Sequence, residues 1–196
     1  MYKLCKTEQS ANRQRNITNA LFELMRQKIY EDITVTEICE RMNMPRKAFY
    51  RYFDSKEDAL TALIDHSMLD YTGFSGIIVE ERHRSLSREL EEFFRFWYGK
   101  RELILTLDRS SLLGTFMDRI INYPIEDRIA LVRFLPNEDA EMRKSIFKFA
   151  LCGLVYMTID WYKSGFRAST KEMARTARRM FESPLFPNLE EAGFDL

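Results

Sequence analysis

An all-α fold is the class that this sequence predicts, and three observations point to it. The 196 residues include only 7 Gly and 5 Pro, whereas Met (10) and Phe (15) are plentiful, so turn-forming residues are scarce. Apolar residues recur at three- and four-residue intervals through most of the chain. The first 60 residues contain no stretch in which apolar and polar residues alternate, as they do in a half-buried strand. With 45% hydrophobic residues, the chain can also bury a sizeable core.

The first two helices are predicted from apolar spacing and from a capping pattern. Residues 1–11 predict a loose polar arm, and a first helix follows over about residues 12–28. A second helix is predicted to begin after Thr34, because Thr34 and Glu37 have the spacing of a capping box, in which each side chain bonds the backbone N–H of the other residue. This helix is short, since Asn43 tolerates the left-handed conformation that a tight turn needs.

A third helix is predicted to open at Pro45 or Arg46 and to continue to about Phe53. Proline lacks a backbone N–H and suits the first turn of a helix better than its interior. Asp54 and Ser55 are placed to cap a fourth helix. Two short helices joined by a tight turn make a helix-turn-helix.

The third helix divides into a packing face and a basic-aromatic face. Phe49 and Phe53 are four residues apart and share the face that packs on the second helix. Arg46 and Lys47 lie at the start of the helix. In helix-turn-helix proteins, this end of the recognition helix contacts base edges in the major groove. Tyr50 offers a hydroxyl to a phosphate. The pattern alone leaves an ordinary helical hairpin with a solvated basic face as the alternative.

The first part of the chain resembles the DNA-binding domain of the TetR/AcrR family of bacterial transcription regulators, over about residues 12–60 and without gaps. The resemblance rests on the Thr34 cap, on the turn, on Phe49 followed by Tyr50, and on Lys56 at the start of the fourth helix. It implies a homodimer on a palindromic operator of double-stranded DNA, with phosphate contacts from Tyr50 and Lys56. The predicted DNA-binding residues are Thr36, Arg46, Lys47, Ala48, Tyr50, Tyr52 and Lys56.

Three positions depart from the family pattern. The family usually has Gly where Asn43 stands, and Asn can adopt the same backbone conformation, so the turn is expected to survive. It often has Ser or Thr where Pro45 stands, so a side-chain cap is lost. Arg46 and Lys47 replace a pair that is often less basic, and we expect these two residues to contribute much of the salt dependence of binding.

Residues 1–60 are thus predicted to form the helix-turn-helix DNA-binding domain, and residues 61–196 a larger helical domain for effector binding and dimerisation. In this second part the sequence predicts a helix break near Gly99 and a helix end or kink at Pro124. A long apolar helix is expected to end at Gly165.

The last two helices resemble those that pair with their copies as a four-helix bundle in the family. The final helix begins with the capping-box spacing of Ser169 and Glu172. On the long helix before it, a self-complementary two-fold face is predicted from small and apolar side chains. The alternative is that this face packs inside its own chain. The predicted interface residues are Leu151, Val155, Thr158 and Ile159.

An effector pocket is predicted from aromatic and apolar residues that match, by layout, the lining helices of the family. The run from Phe93 to Tyr98 holds more aromatic rings than one helix face can hide. An apolar lining suits a hydrophobic or aromatic small molecule, and the alternative for each residue is plain core packing. The predicted lining residues are Met68, Tyr71, Phe93, Trp97, Leu103, Leu107, Phe116 and Ile120.

Enzymatic, metal-binding and membrane functions find little support in the sequence. No nucleophile elbow, phosphate loop or zinc-protease motif occurs, and only His66 and His83 are present. The three cysteines lie far apart, so we expect reduced thiols, no metal and no cofactor. No apolar run approaches the roughly 18–20 residues that span a bilayer, so a cytoplasmic protein is expected.

Charge and motif leave three function classes to compare. The net charge is 0, and the first 60 residues carry 11 Lys and Arg against 9 Asp and Glu, which by itself does not indicate a nucleic-acid partner. The preferred hypothesis is a homodimeric repressor that a small molecule releases from its operator. The second is a DNA-binding factor or activator without an inducer, controlled by a protein partner. The third is a catalytic or carrier helical domain.

Overall fold

The computed structural model describes residues 2–78, 85–122 and 137–182, with the backbone alone for residues 72–78. Within these ranges every long regular element is an α-helix and no strand occurs, which confirms the predicted all-α class. A 3₁₀ turn at Tyr30–Asp32 separates the first two helices. The helices are α1 Glu8–Met25, α2 Val35–Arg41, α3 Arg46–Phe49, α4 Lys56–Ile78, α5 Leu86–Gly99, α6 Arg101–Arg109, α7 Leu113–Ile121, α8 Ala140–Lys163 and α9 Thr170–Glu182.

The chain forms two compact units. The first comprises Met1–Ile78 and Glu102–Glu126, and the second comprises Val79–Arg101 and Asp127–Leu196. The predicted division at residue 60 concerns function and stays a prediction. The compact units divide elsewhere because α4, which has 23 residues from Lys56 to Ile78, continues unbroken past that point.

In the first unit, the helices of the predicted DNA-binding part pack around shared apolar side chains. α1 packs on α2 and on α4, α2 packs on α3, and α4 packs on α7. Each helix turns its apolar stripe towards this core, as expected for amphipathic helices. The fully buried side chains include Ile17, Leu21, Met25, Ile38, Phe49, Phe53, Ile64, Ile104 and Phe116.

The predicted helix-turn-helix signals are confirmed in detail. The N–H of Glu37 donates to the Thr34 hydroxyl at 3.2 Å, and the N–H of Thr34 donates to the Glu37 carboxylate at 2.8 Å. Asn43 has φ 47°, the left-handed conformation expected at the turn. Pro45 lies just before α3 with φ −71° and provides no side-chain cap.

The third helix is shorter than predicted. α3 ends at Phe49, whereas the sequence predicts a helix to about Phe53. The chain tightens after it, since the N–H of Tyr52 bonds the Phe49 carbonyl three residues back at 2.9 Å. This tight turn leads directly into Ser55, whose hydroxyl accepts from the N–H of Asp58 in the first turn of α4.

The N-terminal segment is ordered, so the predicted loose arm is wrong. α1 already begins at Glu8, with the Thr7 hydroxyl as its cap. Ahead of it, the N–H of Lys3 donates to the carbonyl of Tyr52 at 3.1 Å. The side-chain amide of Gln14 donates to the carbonyl of Lys3 at 2.9 Å. A polar sequence does not reveal such backbone partners, because they are far away along the chain.

The second unit contains α5, α8 and α9, and aromatic contacts hold it together. α9 packs along α5. Trp161 of α8 lies edge-on to Phe94 of α5, with ring centroids 5.9 Å apart, and edge-on to Phe166 at 4.9 Å. α8 ends at Lys163 and Gly165 follows with φ 75°, which agrees with the predicted helix end.

The predicted helix limits near Gly99 and Ser169 agree with the structure. α5 ends at Gly99, and α9 begins with the predicted capping box between Ser169 and Glu172. α7 ends at Ile121, three residues before Pro124, which itself lies outside the described residues.

The four residues predicted for the dimer interface are buried within the chain. This burial favours the alternative that they belong to the intramolecular core. They pack inwards because the apolar centre of α8 covers the side of the helix that meets its own unit. The buried side chains are Leu151, Val155, Thr158 and Ile159.

The described residues contain neither a membrane-spanning helix nor a cluster of metal-binding side chains. Within residues 2–78, 85–122 and 137–182, no helix is long and apolar enough to cross a membrane. In those same ranges, no three His, Cys, Asp or Glu side chains are grouped so that they could hold a metal ion.

Candidate nucleic-acid interface

The start of α3 presents a basic and aromatic surface on a buried anchor. Phe49 is fully buried beside Phe53, with ring centroids 5.4 Å apart. On the other faces Arg46 and Lys47 are exposed, and Tyr50 has 41% of its surface exposed. The two predicted faces of this segment are therefore present in the structure.

Arg46 and Tyr50 form a pair one helical turn apart. A terminal nitrogen of Arg46 donates to the Tyr50 hydroxyl at 3.3 Å. Because a guanidinium has five N–H donors, most of them stay available for another acceptor. The Tyr50 ring is also held edge-on against Phe49, at a centroid distance of 5.5 Å. The pair thus presents a planar donor group and a hydroxyl in a fixed arrangement, which suits a guanine edge beside a phosphate.

The other residues predicted to contact DNA differ in how much of their surface is exposed. Thr36 in the first turn of α2 is exposed, whereas Ala48 is half-buried. Tyr52 is half-buried, and the guanidinium of Arg51 lies 5.8 Å from its ring centroid. Tyr52 therefore offers a smaller surface to a ligand than Tyr50 does.

The Lys56 side chain bonds backbone carbonyls of its own chain, whereas the sequence predicts a contact with a DNA phosphate. Its ammonium donates to the carbonyls of Tyr30 at 2.8 Å, Glu31 at 3.2 Å and Ile33 at 2.8 Å. It also lies 4.2 Å from the centroid of the Tyr30 ring. An ammonium has three N–H donors, so these carbonyls use all of them. Lys56 holds the 3₁₀ turn before α2 against the start of α4.

Tyr30 is a residue of this region that the sequence analysis missed. It is buried, its N–H donates to the hydroxyl oxygen of Ser110 at 2.9 Å, and its own hydroxyl lies 3.4 Å from Glu57. Burial, and then the neighbouring Glu57 carboxylate, raise the pKa of the Tyr30 phenol. The ring stays neutral and acts as a support for Lys56 and the 3₁₀ turn.

The start of α2 is stabilised by a charge pair. Lys28 donates to Glu37 at 2.5 Å. This hydrogen bond, together with those from Thr34, lowers the pKa of the Glu37 carboxyl to about 2. Glu37 is therefore ionised at neutral pH and completes the cap that fixes α2.

Further along α4, a buried carboxylate joins three parts of the first unit. Asp65 is only 2% exposed. Arg119 of α7 donates to both of its oxygens, through Nε at 2.6 Å and a terminal nitrogen at 2.5 Å. The Tyr2 hydroxyl donates to the same carboxylate at 2.7 Å. A single Asp on the apolar face of a helix is a sequence signal for such a partner, because a buried charge needs pairing.

His66 lies next to this carboxylate but faces α1. Its Nδ1 is 3.1 Å from the Thr18 hydroxyl, and that hydroxyl donates its own proton to the Arg15 carbonyl at 2.9 Å. Nδ1 must therefore carry the proton that it donates to Thr18. Burial, and then the charge of Arg15, lower the pKa of His66, so the ring is neutral near pH 7.

The residues predicted for the effector pocket are divided between the two units. Met68 of α4 is buried, and Tyr71 is half-buried. In the second unit, Phe93 and Trp97 of α5 are buried, with ring centroids 6.4 Å apart. The remaining predicted lining residues are buried in the first unit, and they are Leu103, Leu107, Phe116 and Ile120.

Comparison with known proteins adds a sequence match in the helix-turn-helix region. Residues 17–63 match the family model of the bacterial regulatory proteins of the tetR family. This range begins within α1 and ends within α4, so it contains all of α2 and α3. No curated protein matches the chain in a sequence search.

Several solved structures share the fold. The fatty acid degradation regulator FadR from Bacillus halodurans has 15% identity and a TM-score of 0.56, over 93% of this chain and 98% of its own. A TetR transcriptional regulator from Streptococcus agalactiae 2603V has 18% identity and a TM-score of 0.55, over 88% and 96%. DhaS, a dihydroxyacetone kinase operon activator, has 15% identity and a TM-score of 0.56, over 86% and 93%.

These structural similarities establish the fold, and the family match covers the helices that carry the basic-aromatic surface. The surface combines the buried Phe49 with the exposed Arg46, Lys47 and Tyr50, an arrangement that suits the recognition helix of a helix-turn-helix. The helix-turn-helix region of the chain, residues 17–63, therefore matches the tetR family of bacterial regulatory proteins, and the fold is similar to that of solved regulators such as the one from Streptococcus agalactiae.

Proposed function

We propose that the chain acts as a homodimeric repressor, which binds a palindromic operator through α3 and leaves it when a small hydrophobic or aromatic effector binds. One observation carries the proposal. Arg46, Lys47 and Tyr50 are exposed together at the start of α3, while Phe49 is fully buried below them. This arrangement lets basic groups meet DNA without losing the support of the core.

In the proposed complex, Arg46 meets a base edge and Lys47 a backbone phosphate. A dimer would place its two α3 helices in successive major grooves, about 34–36 Å apart. The Arg46–Tyr50 hydrogen bond supports this assignment because it restricts the guanidinium before DNA arrives. Less side-chain freedom is then lost on binding.

Exposed apolar side chains on α8 and α9 support a dimer. Phe149 and Tyr156 are each 65% exposed, and with exposed Met142 they recur every seven residues along α8. A seven-residue repeat forms one stripe, as in helices that pair with another helix. On α9, Met180 and Phe181 are exposed as well. We propose that this stripe, in place of the buried residues around Val155, meets its copy across a two-fold axis.

The continuity of α4 supports control by an effector. The helix begins at Lys56, which bonds the turn before α2, and it carries Asp65, which bonds Arg119 of α7. An effector that changes the packing of α7 on α4 would therefore change the position of the helix-turn-helix. In this proposal it favours a conformation in which the two α3 helices no longer match their half-sites.

A second candidate keeps DNA binding without release by an inducer. One structural neighbour, DhaS, is described as an operon activator. The same basic-aromatic surface would serve an activator or a factor that a protein partner controls. The two candidates differ in the response of the DNA complex to a ligand.

Binding to DNA from the chromosomal region upstream of the gene tests the proposal. Fluorescence anisotropy compares this duplex with a shuffled duplex of equal length, over a series of salt concentrations. We expect specific binding with a dissociation constant of about 10⁻⁸ to 10⁻¹¹ M at physiological salt, with two chains per site. If no palindromic duplex is bound even at modest salt, the proposed function is wrong.

A thermal-shift screen then separates the two candidates. Small hydrophobic and aromatic compounds are tested for an increase in Tm, because a ligand that binds only the folded state stabilises it. Compounds that raise Tm are added to the DNA complex. Release of the duplex supports the inducible repressor, whereas unchanged binding in the presence of every stabilising compound supports the second candidate.

A further inference from the structure

The C-terminal end of α3 depends on hydrogen bonds from outside the helix. α3 has only four residues, Arg46–Phe49, so the carbonyls that follow it lack partners within a longer helix. Lys3 donates hydrogen bonds to two of these carbonyls. Its ammonium donates to the carbonyl of Tyr50 at 2.7 Å, and its backbone N–H donates to the carbonyl of Tyr52 at 3.1 Å.

Lys3 is itself held in place on two sides. The Gln14 side-chain amide donates to the Lys3 carbonyl at 2.9 Å, and Gln14 is only 4% exposed. The Lys3 ammonium also lies 3.0 Å from the Asp54 carboxylate, just before α4. The segment therefore joins α1, the turn after α3 and the start of α4.

Tyr2 fixes the same segment to the core of the unit. Its ring lies 6.3 Å from the ring of Phe53, between centroids, and its hydroxyl donates to Asp65 at 2.7 Å. Asp65 also accepts two hydrogen bonds from Arg119 of α7. A nearly buried carboxylate is thus shared between the N-terminal segment and α7.

We propose that Tyr2 and Lys3 form an N-terminal strap that positions the recognition helix for DNA. The strap satisfies carbonyls at the C-terminal end of α3 and anchors that end on the carboxylate that binds α7. Lys3 acts through the backbone carbonyls that it bonds, and Tyr2 acts through the Asp65 carboxylate and the Phe53 ring. Neither residue needs to touch the nucleic acid. This role rests on DNA binding by α3 and assigns a function to a segment outside the helix-turn-helix.

The strap is tested in the full chain with Lys3→Met, Tyr2→Phe and a matched control. Lys6→Met is the control, because Lys6 is exposed in the same segment and has no hydrogen bond or ion pair in the part of the chain that the structure describes. Lys3→Met and Lys6→Met remove the same charge. Tyr2→Phe removes only a hydroxyl and keeps the ring on Phe53.

The first measurement is amide hydrogen exchange, which does not require DNA. We expect Lys3→Met and Tyr2→Phe to speed exchange at Tyr52 and Phe53 severalfold, with amides in the middle of α1 unchanged. Lys6→Met should match wild type. If exchange at these two amides is unchanged in Lys3→Met, the strap does not hold this turn and the inference is wrong.

The second measurement is DNA affinity against salt, with a duplex that the wild-type protein enriches from a random-sequence pool. We expect Lys3→Met to weaken binding about three- to tenfold, since about one net hydrogen bond is lost, with an unchanged slope of log affinity against log salt. A slope lower by about 0.9 would mean that Lys3 contacts a phosphate, and equal affinity to Lys6→Met would mean no positioning role. Either result overturns the inference. Failure of wild type to enrich any duplex would instead contradict the proposed function.

Discussion

The two units of this protein are stabilised in different ways. In the first unit, short helices such as α2 and α3 are fixed by capping groups and by side chains that reach backbone carbonyls, among them Lys3 and Lys56. In the second unit, α8 has 24 residues, and ring contacts of Trp161 join it to α5 and to Phe166. The difference follows from helix length, because a short helix leaves most of its backbone groups without partners.

Apolar exposure also differs between α3 of the first unit and α8 of the second. Phe49 on α3 is fully buried, and the groups that α3 presents are polar or amphipathic. Phe149 and Tyr156 on α8 are mostly exposed. The comparison indicates that α3 exposes mainly polar and amphipathic groups, whereas α8 exposes side chains suited to contact another apolar surface.

The largest expected effect compares two phenylalanines, one from each unit. Phe49→Ala should lower the free energy of unfolding by about 3–5 kcal/mol, because it leaves a cavity in the core. Phe149→Ala should have little effect on the isolated chain and should weaken self-association. Chemical denaturation and sedimentation at several protein concentrations measure both. Equal losses of stability in the two variants would contradict the contrast between a buried Phe49 and an exposed Phe149.

The next effect compares two ion pairs. Arg119→Met leaves Asp65 buried with one partner fewer, and it should lower the free energy of unfolding by about 2–3 kcal/mol, the range for a buried acceptor that loses its donor. Arg95→Met in the second unit removes an exposed pair with Glu91, and it should change stability by less than about 0.5 kcal/mol. Urea denaturation of both variants provides the measurement. A small effect of Arg119→Met would show that the α4–α7 bond adds little.

A smaller effect concerns the proposed DNA-binding surface of α3. Lys47→Ala should weaken DNA binding and reduce the slope of log affinity against log salt by about 0.9, because one phosphate contact is lost. Arg46→Ala should cost about 1–3 kcal/mol for the preferred sequence and less for others. Anisotropy titrations over salt and over sequence variants measure both changes. An unchanged slope in both variants would remove these residues from the contact surface.

The smallest effect is a pH dependence at the start of α2. The pKa of Glu37 is lowered to about 2 in the folded state, so its contribution to stability is complete above its ordinary pKa near 4.5 and is lost as the pH falls towards 2. Glu37→Gln should therefore lower Tm at pH 6 and make little difference near pH 2. Thermal unfolding of both proteins across this range tests the sign. A larger loss at low pH would contradict the assigned cause.

Local features of the fold could be predicted from the sequence with good accuracy. The capping box of Thr34 and Glu37, the left-handed Asn43 and the helix end at Gly165 all depend on residues within a few positions. The burial of Phe49 and Phe53 followed from their four-residue spacing. Such features involve contacts that the helix geometry itself creates, so a short stretch of sequence contains the information.

Features that depend on distant partners were predicted less well. The order of residues 2–7 depends on Tyr52 and Gln14, and the direction of Lys56 depends on carbonyls more than 20 positions earlier. The face of α8 that packs inwards could not be chosen from a helix that is apolar on most sides. In each case the residue type was known, but its partner was not.

The sequence by itself determined that this protein is helical, where its helix-turn-helix lies and which residues of α3 point away from the core. Only the tertiary structure decided that Lys3 and Lys56 hold backbone carbonyls, that Asp65 joins the N-terminal strap to α7, and that α8 exposes Phe149 and Tyr156. The reason is physical. Helical periodicity and capping act within one or two turns, whereas the partner of a long polar side chain is selected by the packing of the whole unit.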